Sequence, residues 1–261
     1  MMNVSGQLTQ ARAVIFDIDN TLYSYDDAHA AAFTDLCEFV RSALDIAPEP
    51  FARLHRSTMD IQRRYAGSAC AAIHNRLIRF QFILEQLHKP VSLAPEMSAR
   101  YWNAFLKNIH PAPGLSECLE TLRKRSLMIG IGTNMTADYQ YEKLRCLNVL
   151  EQIDFIVTSE EINAEKPDRK LFDRCAEKAG CTPGECVFVG DNPEDDIKGA
   201  LNAGMSAVWY VPETEKPSGI AAQSSPSVSE GLDIPVSVPR IATLAELPEL
   251  LSRPLTQVTL Y

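Results

Sequence analysis

No apolar run in this sequence approaches the roughly 20 residues that a bilayer-spanning helix needs. The opening segment, MMNVSGQLTQ, has no basic stretch followed by an apolar core, so no secretory leader is expected. The expected compartment is the cytoplasm, and no membrane partner is expected. Positive charge is also scarce, with 25 Lys and Arg against 34 Asp and Glu, a formal net charge of -9. Nucleic-acid backbones are held by clustered cations, so no nucleic-acid partner is expected. A small anionic substrate needs only a local positive site and stays open.

Metal-binding and disulfide spacings are missing too. The seven cysteines are odd in number and scattered, which fits reduced thiols better than a disulfide framework. Cys181 and Cys186 are too far apart for a CxxC pair, so packing is the expected role and zinc is not expected. His29, His55, His88 and His110 show no ligand spacing and are read as structural or exposed. There is no internal repeat.

The rest is an ordinary globular composition, 46% hydrophobic and 23% charged, in 261 residues. That is enough for one large domain or a core with an insert. Residues 13–16 (AVIF) form a short apolar run that stops abruptly at Asp17, as a buried parallel strand does. Similar runs stand at 127–132, 155–157, 187–189 and 207–210. Helical stripes separate them, with Leu115, Leu119 and Leu122 before the second and Leu171, Phe172, Cys175 and Ala179 before the fourth. This alternation predicts an α/β, Rossmann-like parallel sheet.

Roughly eighty residues separate the first two runs, too many for a simple crossover. Three stripes lie within them: Phe33, Leu36, Val40 and Leu44; Ile73, Leu77, Phe80 and Leu84; and Tyr101, Phe105 and Ile109. Prolines 48, 50, 90 and 95 mark the breaks. The expectation is an inserted α-helical cap domain over 24–108, with 1–23 and 109–261 forming the core. Arg63, Arg64, Tyr65, His74, Asn75, Arg76 and Arg79 are expected on a solvated face of the insert. The functional alternative is that one or two of them reach the substrate. Trp102 and Trp209 read as packed aromatics. Residues 211–239 are expected to form a long surface loop or linker. Ile241, Leu244, Leu247, Leu250 and Leu251 are expected on a final amphipathic helix.

Ligands of open parallel sheets bind beyond the carboxyl ends of the strands. There the sequence places Asp17 and Asp19, then Thr133 and Asn134, then Lys166, then Asp191 through Asp196. Clustered carboxylates repel unless a divalent cation neutralises them, and hard oxygen ligands suit Mg²⁺. Lys166 adds a positive charge for a phosphoryl group and Thr133 a donor. One carboxylate can attack phosphorus while another moves the proton.

The four segments, DIDNT at 17–21, GTN at 132–134, EKP at 165–167 and GDNPEDD at 190–196, together resemble the haloacid dehalogenase-like hydrolase superfamily. The resemblance spans residues 13 to about 210 and implies Asp17 as nucleophile and Asp19 as general acid and base. It implies phosphoryl binding by Thr133, Asn134 and Lys166, the last also stabilising charge on the nucleophile. It implies Mg²⁺ held by Asp17, Asp191 and Asp196 and by the backbone carbonyl of Asp19, with Asp195 an alternative to Asp196. Asn192 and Pro193 read as the N-cap and first residue of a helix. Members that cleave carbon–halogen bonds lack the second aspartate, so Asp19 favours a phosphatase acting on a small phosphorylated metabolite. A dehalogenase, a phosphomutase and a non-catalytic binding protein remain as alternatives. The sequence is compatible with a homo-oligomer.

Overall fold

The computed structural model describes residues 8–67, 70–213 and 234–252. Among these residues six parallel strands form one sheet: β1 Ala13–Phe16, β2 Met128–Thr133, β3 Phe155–Thr158, β4 Cys186–Gly190, β5 Ser206–Tyr210 and β6 Arg240–Ile241. Their order is β3-β2-β1-β4-β5-β6, with every pair parallel. β1 is central and its neighbours continue the chain in opposite directions, so a crevice opens beyond its carboxyl end. All four β1 residues are buried, as a strand covered on both faces requires. Val14 and Phe16 join one apolar cluster while Ala13 and Ile15 join another, the two-residue alternation of a strand.

Between β1 and β2 lie α1 Tyr25–Leu44, α2 Pro48–Ala66, α3 Cys70–His74, α4 Arg76–Gln86 and α5 Ala94–Lys107. Ser24 caps α1 through its side chain, which accepts from the Asp27 amide. Prolines 48 and 50 do more than interrupt helix, since α2 begins at Pro48, where a fixed φ suits the first turn. The stripe expected from Ile73 through Leu84 does not form as one helix face. α3 ends at His74, and Asn75 caps a new helix by accepting from the Ile78 amide. Leu77 is exposed, and Arg76, Arg79, Phe80, Ile83 and Leu84 face inward instead. The apolar side chains of α1, α4 and α5 belong to the same continuous cluster as one face of the sheet.

After α6 Leu115–Lys124 and β2 come α7 Ala137–Cys146, α8 Ser159–Ile162, α9 Arg169–Ala179 and α10 Gly199–Ala203, with α11 Leu247–Leu250 last. Gly130 on β2 lets the sheet pack closely, because a Cβ there would lie 2.1 Å from the Phe155 ring. The expected final helix is shorter than its apolar spacing suggested. Ile241 belongs to β6, whose place beside β5 is held by Trp209 N–H to the Pro239 carbonyl and Val211 N–H to the Ile241 carbonyl. Thr243 then caps a 3₁₀ turn at Leu244–Glu246 that leads into α11. Most of the expected 211–239 loop, residues 214–233, lies outside the described residues. Among the described residues no helix is long and apolar enough to cross a membrane. All seven cysteines are free thiols, five of them buried.

Candidate active site

The loop leaving β1 turns at once. The Thr21 and Leu22 amides both donate to the Ile18 carbonyl, and Asn20 adopts a φ of 60°. Asn tolerates that left-handed conformation, and its side-chain oxygen accepts from the Tyr25 amide at 2.8 Å, joining the loop to α1. Asp17 is thereby fixed at the strand end, its amide donating to the Val189 carbonyl of β4 at 2.9 Å. The residue is 6% exposed. Lys166 Nζ donates to Asp17 Oδ1 at 2.6 Å and to Asp196 Oδ1 at 2.7 Å. The Lys166 loop is seated in turn by its own amide, which donates to Asn134 Oδ1 at 2.8 Å.

The segment after β4 aims the remaining acids. Asn192 is the N-cap expected from sequence, its side chain accepting from the Glu194 and Asp195 amides, with Pro193 at the first position. A π-helical turn, Pro193–Lys198, then leads into α10. Asp196 points inward and accepts from the Asn192 amide at 3.0 Å, whereas Asp195 accepts from the Asn192 side chain at 3.1 Å. Asp196 is thus the acid that joins the cluster. Glycine at 190 makes room for it, since a Cβ would sit 2.2 Å from its Oδ2.

Asp17, Asp191 and Asp196 offer ligand atoms within 4.8 Å of one another. Three carboxylates there face one ammonium, and the imbalance shows in their acidity. Burial pushes Asp17 up to about 7, and the charges of Asp196 and Asp19 add to the rise while Lys166 opposes it. Asp191 is raised by burial and then by Asp196 and Asp17. Burial acts against the Lys166 ammonium, but Asp17 and Asp196 more than offset it and hold it protonated. Hard oxygen donors with excess negative charge suit a divalent cation such as Mg²⁺.

Asp19 is held separately. Lys143 Nζ donates to both its oxygens, at 2.7 and 2.9 Å, and the Tyr23 hydroxyl donates to Oδ1. Lys143 is completely buried on α7. Three residues earlier, Gln140 donates to Thr133 Oγ1 at 2.7 Å and to the Asn134 carbonyl at 2.9 Å. Neither α7 residue was expected from the motifs. The available signal is their spacing, because Gln140, Lys143 and Leu144 share one face of the helix and all three are buried.

A cleft of about 200 Å³ is lined by all the expected residues: Asp17, Asp19, Thr133, Asn134, Lys166, Asp191 and Asp196. A larger depression of about 330 Å³ lies beside Leu8, Arg125 and Leu251, near the amino ends of β1 and β2, away from this chemistry. His74 and Glu165 link the insert to the core beside Lys166, Nε2 to Oε1 at 2.5 Å. Of the polar residues expected on a solvated face of the insert, Arg63, Arg64 and Tyr65 are exposed as expected. Arg76 and Arg79 are buried, although a solvated face was expected. Trp102 packs as expected, its ring stacked 3.7 Å from that of Tyr139.

Residues 14–210 match the family model of the haloacid dehalogenase-like hydrolases. The ribulose-1,5-bisphosphate 5-phosphatase of Halopiger xanaduensis is 34% identical over 210 residues, 78% of this chain and 87% of the relative. The glyceraldehyde 3-phosphate phosphatase of Methanothermobacter thermautotrophicus is 31% identical over 241 residues, 92% of this chain and 99% of the relative. Among solved structures, a phosphatase of the same family from Thermococcus onnurineus superposes with a TM-score of 0.66. It is 26% identical and the match covers 92% of this chain and 97% of that one.

Proposed function

The chain belongs to the haloacid dehalogenase-like hydrolases as a phosphatase of that family, and we propose that it hydrolyses small phosphomonoesters through an aspartyl-phosphate on Asp17. One observation carries this reading. A buried carboxylate at the central strand end is paired to Lys166 and grouped with Asp191 and Asp196, while Asp19 stands beside it with its own partners.

In the first step an Asp17 oxygen attacks phosphorus and the ester P–O bond breaks. Asp19, protonated, gives its proton to the departing alkoxide. In the second, Asp19 takes a proton from water, whose oxygen attacks phosphorus and breaks the bond to Asp17. Inorganic phosphate leaves, Asp17 is again a carboxylate and Asp19 again carries its proton. Lys166 neutralises charge on nucleophile and phosphoryl group, and Thr133 and Asn134 bind phosphoryl oxygens. Asp17, Asp191, Asp196 and the Asp19 carbonyl would hold Mg²⁺, which supplies charge neutralisation for the carboxylates and the phosphoryl group. The insert over 24–108 serves as a cap that excludes bulk water. The presence of Asp19 favours ester hydrolysis over carbon–halogen cleavage. The test is turnover of a panel of phosphorylated metabolites with Mg²⁺, with Asp17→Asn as control. Phosphate release that persists in that variant sinks the assignment.

A further inference from the structure

The insert carries a second cluster of buried charge, of the opposite sign. α4 turns Arg76 and Arg79, three residues apart, onto the face that carries Phe80 and Ile83, leaving them 8% and 4% exposed. Arg76 Nη2 donates to the Tyr25 hydroxyl at 2.8 Å and to that of Tyr101 at 3.4 Å. Its guanidinium lies 5.0 Å from the ring centre of Tyr101 and 5.7 Å from that of Trp102. Arg79 Nε donates to Gln62 Oε1 at 2.9 Å, and its Nη2 to the Ile73 carbonyl at 3.3 Å. Every partner is uncharged. Among the described residues, Arg76 Nε and Arg79 Nη1 are buried with no acceptor. Burial and the two arginines hold the adjoining His29 and His55 neutral, His29 lowered to about 4. Burial and Arg76 pull Arg79 itself down to about 9.

Two buried cations with no counter-ion among the described residues are costly for a fold that could pack apolar side chains there. Their position supplies a reason. The Tyr25 hydroxyl that accepts from Arg76 belongs to a residue whose amide is held by Asn20, in the loop that carries Asp17 and Asp19. The Tyr25 ring lies 5.9 Å from Lys143 Nζ, which is bonded to Asp19. Arg76 is therefore connected to the proposed general acid through two side chains.

We propose that Arg76 and Arg79 seat a second anionic group of the substrate, so that the preferred substrates are phosphomonoesters bearing a carboxylate or another phosphate away from the scissile one. The planar guanidinium fork matches either anion, and the buried surroundings strengthen the attraction. Tyr25 and Tyr101 add hydroxyls that donate to the same anion. The inference rests on the phosphatase reading above and narrows it to a substrate class.

The test measures kcat/KM of the full chain with Mg²⁺ on matched pairs. Glycerol 3-phosphate against 3-phosphoglycerate reads a carboxylate, and fructose 6-phosphate against fructose 1,6-bisphosphate reads a second phosphate. In at least one pair the anion-bearing member is expected to win by about tenfold or more, mainly through KM. Arg76→Gln and Arg79→Gln should each collapse that ratio toward one, while Arg76→Lys, which keeps the charge, retains part of it. Turnover without preference in either pair, or an unchanged ratio in both Gln variants, overturns the proposal while leaving the phosphatase reading intact. No turnover of any phosphomonoester removes both. The wild-type ratios decide the matter even if a variant fails to fold.

Discussion

The strand-end cluster and the insert cluster bury charge in opposite ways. At the strand ends three aspartates crowd around Lys166, and the surplus is negative. In the insert, the hydrogen-bond acceptors of Arg76 and Arg79 among the described residues are hydroxyl, amide and carbonyl oxygens, and the surplus is positive. Buried charge seldom stabilises a fold by itself, because desolvation offsets most of the attraction. An unbalanced cluster is better explained by what it receives. One end calls for a cation and the other for an anion, and Lys143 stands between them, bonded to Asp19 and facing the Tyr25 ring.

The comparison breaks most completely at Asp17. Asp17→Asn leaves the insert cluster untouched and removes the proposed nucleophile, so steady-state phosphate release should fall by on the order of 10⁴-fold or more. The variant should keep the wild-type circular dichroism spectrum. Lys143→Met probes the link between the clusters. With Lys143 gone, Asp19 loses its bidentate partner and, among the described residues, keeps the Tyr23 hydroxyl. A misplaced proton donor costs about 10²-fold in kcat, and the expected loss falls on kcat more than on KM. A change confined to KM would assign Lys143 to substrate binding instead.

The two regions differ in how far the sequence reveals them. Asp17, Asp19, Lys166, Asp191 and Asp196 were legible because each lies just beyond a short apolar strand, and parallel strands bring their carboxyl ends to one edge. Lys143 was not legible, because a lysine in the segment ADYQYEKLRC reads as surface until the facing loop is known. Arg76 and Arg79 were misplaced by a register error. Counting Ile73 and Leu77 into one stripe rotated the helix, whereas the Asn75 cap starts α4 afresh and turns the arginines inward with Phe80 and Ile83. β6 was missed because two residues carry no periodicity, and Ile241 also fits the spacing of the turn after it.

Cation binding should sharpen the contrast through stability. Asp17 is raised from 3.8 to about 7, so in the metal-free protein its contribution is full below about pH 3.8 and lost as pH rises through about 7. Asp191 is raised in the same direction. Mg²⁺ at a hundred times its dissociation constant should add about 2.7 kcal/mol, a Tm rise of roughly 5–10 °C at this chain length. The rise should be larger at pH 8 than at pH 5, where protons already neutralise the cluster. Scanning calorimetry with and without EDTA at the two pH values checks it. Asp191→Asn should shrink the shift, and Arg76→Gln should not.

The smallest effect is expected where the two regions touch directly. His74 on α3 bonds Glu165, the neighbour of Lys166, and the Cys70 amide donates to Asn163 Oδ1 at 3.3 Å close by. The His74 and Glu165 side chains are 25% and 35% exposed, so solvent screens most of their attraction. Removing it with His74→Ala should cost about 0.5 kcal/mol or less in denaturant unfolding. If the contact nonetheless holds the anion-seeking insert over the cation-seeking core, KM should rise by about threefold while kcat changes by less than about twofold. A loss in kcat larger than the rise in KM would mean that His74 acts on Lys166 through Glu165, so that the two clusters are coupled and not merely adjacent.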